Sequence, residues 1–124
     1  MKAYIFCILL ILGGLIPSSL VATPLQLYVD NVEVSESNAA NVLKGQGEGR
    51  DGCVSFDYKT YTLTLRGAKL TNSIKITGER PDQLITVQLE GKNEIITKNW
   101  AFQIFSPVLI QGSGSLYIRS SGRY

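Results

Sequence analysis

The residues of this chain that could do acid–base chemistry are its carboxylates, because the 124-residue sequence contains no histidine. Without histidine, serine and cysteine nucleophiles lack their usual activating base. Some enzymes that cleave acidic polysaccharides instead combine clustered acids with calcium and a basic residue. The candidates here are Asp57, Glu90 and Glu94 with Lys92. Because two of these acids flank a turn, where exposed charge is common, we predict no catalytic residue, no metal site and no cofactor.

Aromatic side chains offer a different chemistry, which is binding. An aromatic ring can stack on a sugar ring while neighbouring polar groups form hydrogen bonds with its hydroxyls. Trp100 is the only tryptophan and lies in the polar turn Thr97–Ala101. Tyr58 and Tyr61 lie near another turn, and Tyr117 alternates outward along a predicted strand. These four aromatic residues are the predicted ligand-binding residues, although Trp100 would also suit a buried corner, since tryptophan is usually largely buried.

The elements that must position these residues follow a repeat. A short apolar strand that ends at a glycine occurs three times, at residues 62–67, 86–91 and 108–112. The glycines that end the three copies are Gly67, Gly91 and Gly112. Their spacing exceeds the roughly 8–12 residues between sandwich strands. This spacing predicts an all-β fold, specifically a short right-handed parallel β-helix (β-solenoid) of about three rungs. It favours this fold over the alternative, an antiparallel sandwich that reuses a glycine turn.

The predicted rungs have three sides each, and the last rung is incomplete. Rung one comprises residues 61–65, 68–70 and 74–77, rung two residues 84–89, 94–96 and 102–105, and rung three residues 108–110 and 116–118. Stacking these strands about 4.8 Å apart is expected to align Leu65, Leu89 and Ile110 in one core column. The predicted turn residues, which favour left-handed backbone at equivalent corners, are Gly67, Gly91, Asn93, Gly112 and Gly114.

The chain before the repeats is divided into two predicted parts. Lys2, an apolar run over residues 3–16 and small residues before Thr23 are typical of a secretory signal peptide, residues 1–22. The run is shorter than the roughly 20 residues of a membrane span, so an uncleaved anchor is the weaker alternative. Residues 23–58 are predicted to cap the solenoid with a hairpin at Asp30-Asn31 and a flexible glycine-rich loop over residues 44–52. Residues 59–124 are predicted to form the rungs, of which the last is incomplete.

Charge and cysteine content narrow the function further. Removal of residues 1–22 leaves eleven basic and ten acidic residues, a net charge near +1, without a basic patch. This composition gives no electrostatic footprint for nucleic acid. Cys53 is the only cysteine after residue 22, so no disulfide within the chain is expected. Its predicted state is a buried structural thiol.

Three segments carry a resemblance to a known group of proteins. Residues 52–65 place an aspartate turn before a Thr-Leu-Thr-Leu strand, residues 89–95 read Leu-x-Gly-x-Asn-x-Ile, and residues 110–116 read Ile-x-Gly-x-Gly-x-Leu. From Leu25 onward the chain resembles secreted bacterial surface proteins with right-handed parallel β-helix repeats, some of them labelled carbohydrate-binding. Such proteins typically continue for more rungs. The resemblance therefore implies either a truncated reading frame or a partner that covers the last rung.

The predicted function is that of an exported, non-enzymatic β-helix module for glycan binding or surface adhesion, secreted or located at the bacterial cell surface or periplasm. The alternative is a structural fragment of a larger surface protein with no ligand of its own, and the third is a calcium-dependent polysaccharide lyase fragment. The expected partners are a polysaccharide or cell-surface glycan and, through the open C-terminal rung, a second copy. Neither nucleic acid nor a membrane span after signal cleavage is expected.

Overall fold

A computed structural model of the protein describes residues 25–80 and 82–121, so the predicted signal peptide lies outside the described residues. The described residues form an all-β structure in which strands are joined by turns and loops. The strands are β1 (Gln26–Val29), β2 (Val32–Glu33), β3 (Val54–Asp57), β4 (Thr62–Arg66), β5 (Lys69–Leu70), β6 (Ile74–Thr77), β7 (Ile85–Glu90), β8 (Lys92–Thr97), β9 (Phe102–Ile104), β10 (Val108–Gln111) and β11 (Ser115–Ser120).

The strands form three open sheets. The first sheet has the order β9-β6-β1-β2, the second β10-β7-β4-β3, and the third β11-β8-β5. After the recurring sequence segments, strands β4 to β6 are here called the first repeat, β7 to β9 the second, and β10 and β11 the third, and the three together are called the stack. Among the described residues, every parallel strand pair joins two successive repeats, and the antiparallel pairs all involve β1 or β3. An antiparallel sandwich would not have this pairing.

The core lies where the inward faces of the strands meet. Alternation in β4 buries Leu63 and Leu65 and leaves Thr62 and Thr64 facing outward, as period-2 patterning requires. The same alternation buries the inward residues of β6 and β7. The buried hydrophobic residues of the sheets belong to one continuous cluster.

The predicted core column is correct for two of its three members. Leu65 pairs with Leu89, but Ile110 pairs with Val87. The reason is the length of the corner that follows each strand. Gly91 alone separates β7 from β8, whereas residues 112–114 separate β10 from β11. The longer third corner starts two residues earlier relative to the second repeat, and the column shifts with it.

The positions of the corner glycines reflect this two-residue shift. Gly67, Gly91 and Gly112 all have positive φ, of 61°, 70° and 115°, as predicted for turn residues. Gly112, however, lies against the backbone of Leu89, and it is Gly114 that lies against the carbonyl of Gly91. Asn93 pairs with Leu116 rather than matching Gly114. Neither Asn93 nor Gly114 adopts left-handed backbone, so that part of the turn prediction is wrong.

The N-terminal part covers one end of the stack. Strands β1 and β2 form the predicted hairpin, with φ of 54° at Asp30 and 67° at Asn31. Strand β1 then pairs antiparallel with β6, and β3 pairs antiparallel with β4. Arg50, in the glycine-rich loop, forms an ion pair with Asp30 and donates to the Lys69 carbonyl on β5 at 3.1 Å. The Arg50 side chain therefore anchors this loop both to the hairpin turn and to the first repeat.

Cys53 is less buried than predicted. Val54 and Phe56 are buried in the core, whereas Cys53, just before β3, is only partly buried and packs against the core from its edge. Its thiol lies 3.3 Å from the Gly49 carbonyl, the closest of three backbone carbonyls within hydrogen-bonding reach.

Candidate functional site

The outward face of the first sheet brings together the most promising group of binding side chains. Tyr28 pairs with Glu33 on one side and with Lys75 on the other, and Lys75 pairs with Gln103. Directly paired residues share one face of a sheet, about 4.5–5.5 Å apart at Cβ. A carboxylate, an aromatic ring, a cation and an amide therefore form one row across four strands.

Alternation explains why Tyr28 faces outward. Its neighbours Leu27 and Val29 are 1% and 0% exposed, so they occupy the core side of β1 and Tyr28 must occupy the other side. Lys75 lies outward on β6 for the same reason, between the buried Ile74 and Ile76.

These residues line a groove, here called the Tyr28 groove. It has a volume of about 400 Å³ and is lined by Tyr28, Asn31, Ser73, Lys75 and Gln103. Lys75 Nζ lies 5.8 Å from the centroid of the Tyr28 ring, within the range of a cation–π interaction. The groove thus offers a ring surface surrounded by hydroxyl, amide and ammonium groups that form hydrogen bonds.

Trp100 lies beside this groove. It shares with Gln103 a depression of about 570 Å³ that Phe102, Ile104 and Phe105 complete. Ser73, which lines the Tyr28 groove, donates from its hydroxyl to the Trp100 carbonyl. The Trp100 residue is 56% exposed, so it does not fill a corner between repeats.

Tyr58 and Tyr61 lie together in a separate cleft of about 550 Å³. The Tyr61 hydroxyl donates to Glu79 at 2.8 Å, and the Tyr58 hydroxyl donates to the Val34 carbonyl at 3.4 Å. Burial raises the pKa of Tyr58, and the negative charges of nearby glutamates raise it further. Glu79, in this cleft, follows the end of β6, whereas Ser73, which bonds Trp100, precedes the start of β6. The cleft and Trp100 therefore lie at opposite ends of β6.

Tyr117 lies on the third sheet, in a row with Glu94 and Lys69. The four aromatic residues predicted to bind ligand therefore lie in three separate places. The side chains that do converge, Tyr28, Lys75 and Gln103, were missed. The alternation of β1 already indicated that Tyr28 faces outward, but only the strand pairing places Lys75 and Gln103 beside it.

The acidic residues considered for catalysis are dispersed. Asp57 accepts a hydrogen bond from the backbone N–H of Lys59 at 2.8 Å, a local turn contact. Glu90 pairs with Arg66 at 3.1 Å at the opposite end of the second sheet's strands. Glu94 lies on the third sheet beside Lys69. Within residues 25–80 and 82–121, no cluster of three or more His, Cys, Asp or Glu side chains suits a metal ion.

Comparison of the chain with protein-family models, with curated proteins and with solved structures yields no match in any of the three. In the part of the chain that the structure describes, there is no helix with the length and hydrophobicity needed to cross a bilayer.

Proposed function

We propose that the protein is an exported, non-enzymatic β-helix module that binds glycans through the Tyr28 groove. The observation that carries this proposal is the row of Tyr28, Lys75 and Gln103 across adjacent strands. A sugar ring has apolar C–H faces and a rim of hydroxyls. The ring of Tyr28 can stack on the C–H face of a sugar, and the amide of Gln103 and the ammonium group of Lys75 can form hydrogen bonds with the sugar hydroxyls.

The shape of the groove also supports a glycan. Its volume of about 400 Å³ lies within the range of ligand pockets, roughly 300–1,000 Å³. It lies on an open sheet surface, which admits an internal segment of a long polymer without requiring a chain end. The neighbouring Trp100 extends the aromatic surface beyond Gln103, so that a ligand of several sugar units has a second stacking position.

The proposed architecture is a right-handed parallel β-helix of about three rungs with an N-terminal hairpin cap. The parallel pairing of β4 with β7 with β10, and of β5 with β8 with β11, supports it. Right-handedness is expected because crossover connections between parallel strands of one sheet are right-handed in about 98% of cases. Export to the bacterial surface or periplasm rests on the signal-like pattern of residues 1–22.

The test is a glycan array followed by calorimetric titration of the purified protein with the best glycan. We expect Tyr28→Ala and Lys75→Ala to weaken binding at least tenfold, and Trp100→Ala to weaken binding to longer oligosaccharides more than to short ones. Lys92→Ala is the matched control, because Lys92 is exposed on the third sheet and lies outside the groove. Binding that is unchanged in Tyr28→Ala would contradict the proposed site.

The second candidate function is that of a structural piece of a larger surface assembly without a ligand of its own. The exposure of apolar side chains along β9, β10 and β11 favours it. Absence of saturable binding to any glycan, together with self-association, would support this candidate. The lyase alternative has no comparable support, because Asp57, Glu90 and Glu94 do not converge.

A further inference from the structure

Strands β9, β10 and β11 form one end of the stack, here called the open end. Among the described residues, each of them pairs with a strand on one side only. Such edges are templates for pairing with further strands. Each of the three sheets therefore contributes one edge strand to the open end.

The core is uncovered at this end. Ile104, Ile110 and Ile118 pair with the inward residues Ile76, Val87 and Ile95, and they therefore face inward too. The residues of the inner repeats are 0% exposed, whereas Ile104, Ile110 and Ile118 are 42%, 46% and 45% exposed. The difference arises because, within residues 25–80 and 82–121, no strand lies over β9, β10 and β11. The open end is a cross-section through the hydrophobic core.

The open end also lacks the charges that usually protect an exposed edge. Residues 101–121 contain one charged side chain, Arg119. Natural proteins discourage edge pairing with lysines, bulges or covering loops. Here two identical open ends would meet with little like-charge repulsion.

The opposite end of the stack is a weaker partner surface. Its edge strands are β2, β3 and β5, with two, four and two residues, and Arg50 already binds the Lys69 carbonyl on β5. Head-to-tail stacking into a filament would have to use these short edges. The open end of a second copy offers longer edges, and docking through it gives a closed two-fold dimer.

We propose that two copies of this chain dock open end to open end, with antiparallel pairing of their edge strands. With a two-fold axis perpendicular to the stack, one edge strand pairs with the same strand of the second copy. Each of the other two edge strands pairs with the other's counterpart in the second copy. Strand β11, with six residues, suits self-pairing centred on Tyr117, which sets Leu116 opposite Ile118 of the second copy. Strands β9 and β10, with three and four residues, then pair with each other across the interface. Both pairings keep inward residues opposite inward residues.

The first test is the oligomeric state of the purified protein by sedimentation velocity. We expect a dimer that does not grow further with concentration, and we expect Ile110→Lys and Ile118→Lys to raise the dissociation constant at least a hundredfold. Because both side chains are nearly half exposed, the variants should keep the wild-type circular dichroism spectrum. Ala40→Lys, an exposed change in the N-terminal part, should remain dimeric. A monomeric wild-type protein, open-ended polymers, or a dimer unaffected by both lysines would overturn the proposal.

The second test locates the axis. In a chain with Cys7→Ser and Cys53→Ser, Tyr117→Cys should form a disulfide-linked dimer under mild oxidation, since Tyr117 faces its own copy. The matched control is Lys69→Cys, because Lys69 lies on the same sheet but at the covered end of the stack. This variant should form no disulfide-linked dimer on a non-reducing gel. Crosslinking through Lys69→Cys in place of Tyr117→Cys would show that the copies meet elsewhere. This inference does not depend on glycan binding, which the Tyr28 groove variants test separately.

Discussion

Asn93 is a buried polar side chain that connects all three repeats at one corner. It is 3% exposed. Its Oδ1 accepts from the Ala68 N–H at 2.8 Å, and its Nδ2 donates to the Glu90 and Ser115 carbonyls at 3.2 Å each. Asn93 was predicted as a turn residue with left-handed backbone, which it does not adopt. Its side chain instead forms hydrogen bonds with backbone groups at the corner.

We expect Asn93→Ala to lower the free energy of unfolding by about 2–4 kcal/mol, because it leaves three backbone groups without this partner. Asn93→Asp should be similarly harmful, since a carboxylate cannot donate to the two carbonyls. Urea unfolding followed by circular dichroism measures both changes. Asn99→Ala, at an exposed asparagine, should change stability by less than about 0.5 kcal/mol. Equal effects at the two asparagines would contradict the bridging role.

Asp30 is the buried charge of the hairpin turn. Burial by itself raises the pKa of this carboxyl, but hydrogen bonds from Arg50 and Thr71 and the positive charge of Arg50 outweigh it and lower the pKa below its ordinary value of 3.8. The Thr71 N–H donates to it at 3.0 Å. Since the folded state favours the ionised form, Asp30 contributes stability above pH 3.8 that is lost as the pH falls through the lower folded-state value.

Asp30→Asn isolates this charge, because asparagine also tolerates the positive φ at this position. At pH 7 we expect the variant to lose roughly 2 kcal/mol. Its unfolding free energy should also fall less than that of the wild type between pH 5 and pH 2. The matched control is Asp82→Asn, since the side chains of Asp82 and Asp30 are 85% and 3% exposed. If the control and the variant have the same pH profile, the Asp30 pKa is not lowered.

At the scale of the elements, the corners decide which residues are stacked. Residues 112–114 make the third corner two residues longer than the second, and β10 is accordingly displaced by two positions relative to the alignment of the glycines. A displacement of two keeps each side chain on the same face of its strand. This is why the burial pattern was predictable from the alternation although the column of Leu65, Leu89 and Ile110 was not.

The third corner also provides a prediction. A Cβ at Gly112 would clash with the Leu89 carbonyl oxygen, and φ there is +115°. Gly49 has φ of +75° with open space around it. Gly49→Ala should therefore cost about 1 kcal/mol from backbone strain alone, whereas Gly112→Ala should cost roughly 3 kcal/mol or more. Thermal unfolding compares them, and equal shifts in Tm would rule out the close backbone approach.

For the whole molecule, stability is expected to vary along the stack, because each repeat mainly contacts its neighbours. The first repeat is covered by β1 and β3, and the second lies between two others, but the third has one neighbour among the strands that the structure describes. In the Ile118→Lys variant, hydrogen exchange should be fastest in β10 and β11 and slowest in β4, β6 and β7. In the dimeric wild type, β10 and β11 should be protected. Uniform exchange of all strands in the variant would mean that the stack unfolds as one unit.

The binding surface illustrates what the chain alone indicates. Alternation places Tyr28 on the solvent side of its strand, but Lys75 and Gln103 belong to strands in the first and second repeats, far from Tyr28 in the sequence. Their proximity depends on an antiparallel pair and a parallel pair that no local pattern specifies. The four aromatic residues chosen from turns and strand alternation lie apart for the same reason.

The sequence by itself determined the all-β class, the boundaries of most strands, the hairpin at Asp30-Asn31 and the choice of inward side chains, because these depend on local backbone preference and on the two-residue alternation of a strand. The tertiary structure alone decided the stacking register, the bonds of Asn93, the anchoring of the glycine-rich loop and the position of the uncovered core. Each of these depends on which distant strands become neighbours, and corner lengths set that pairing from one repeat to the next.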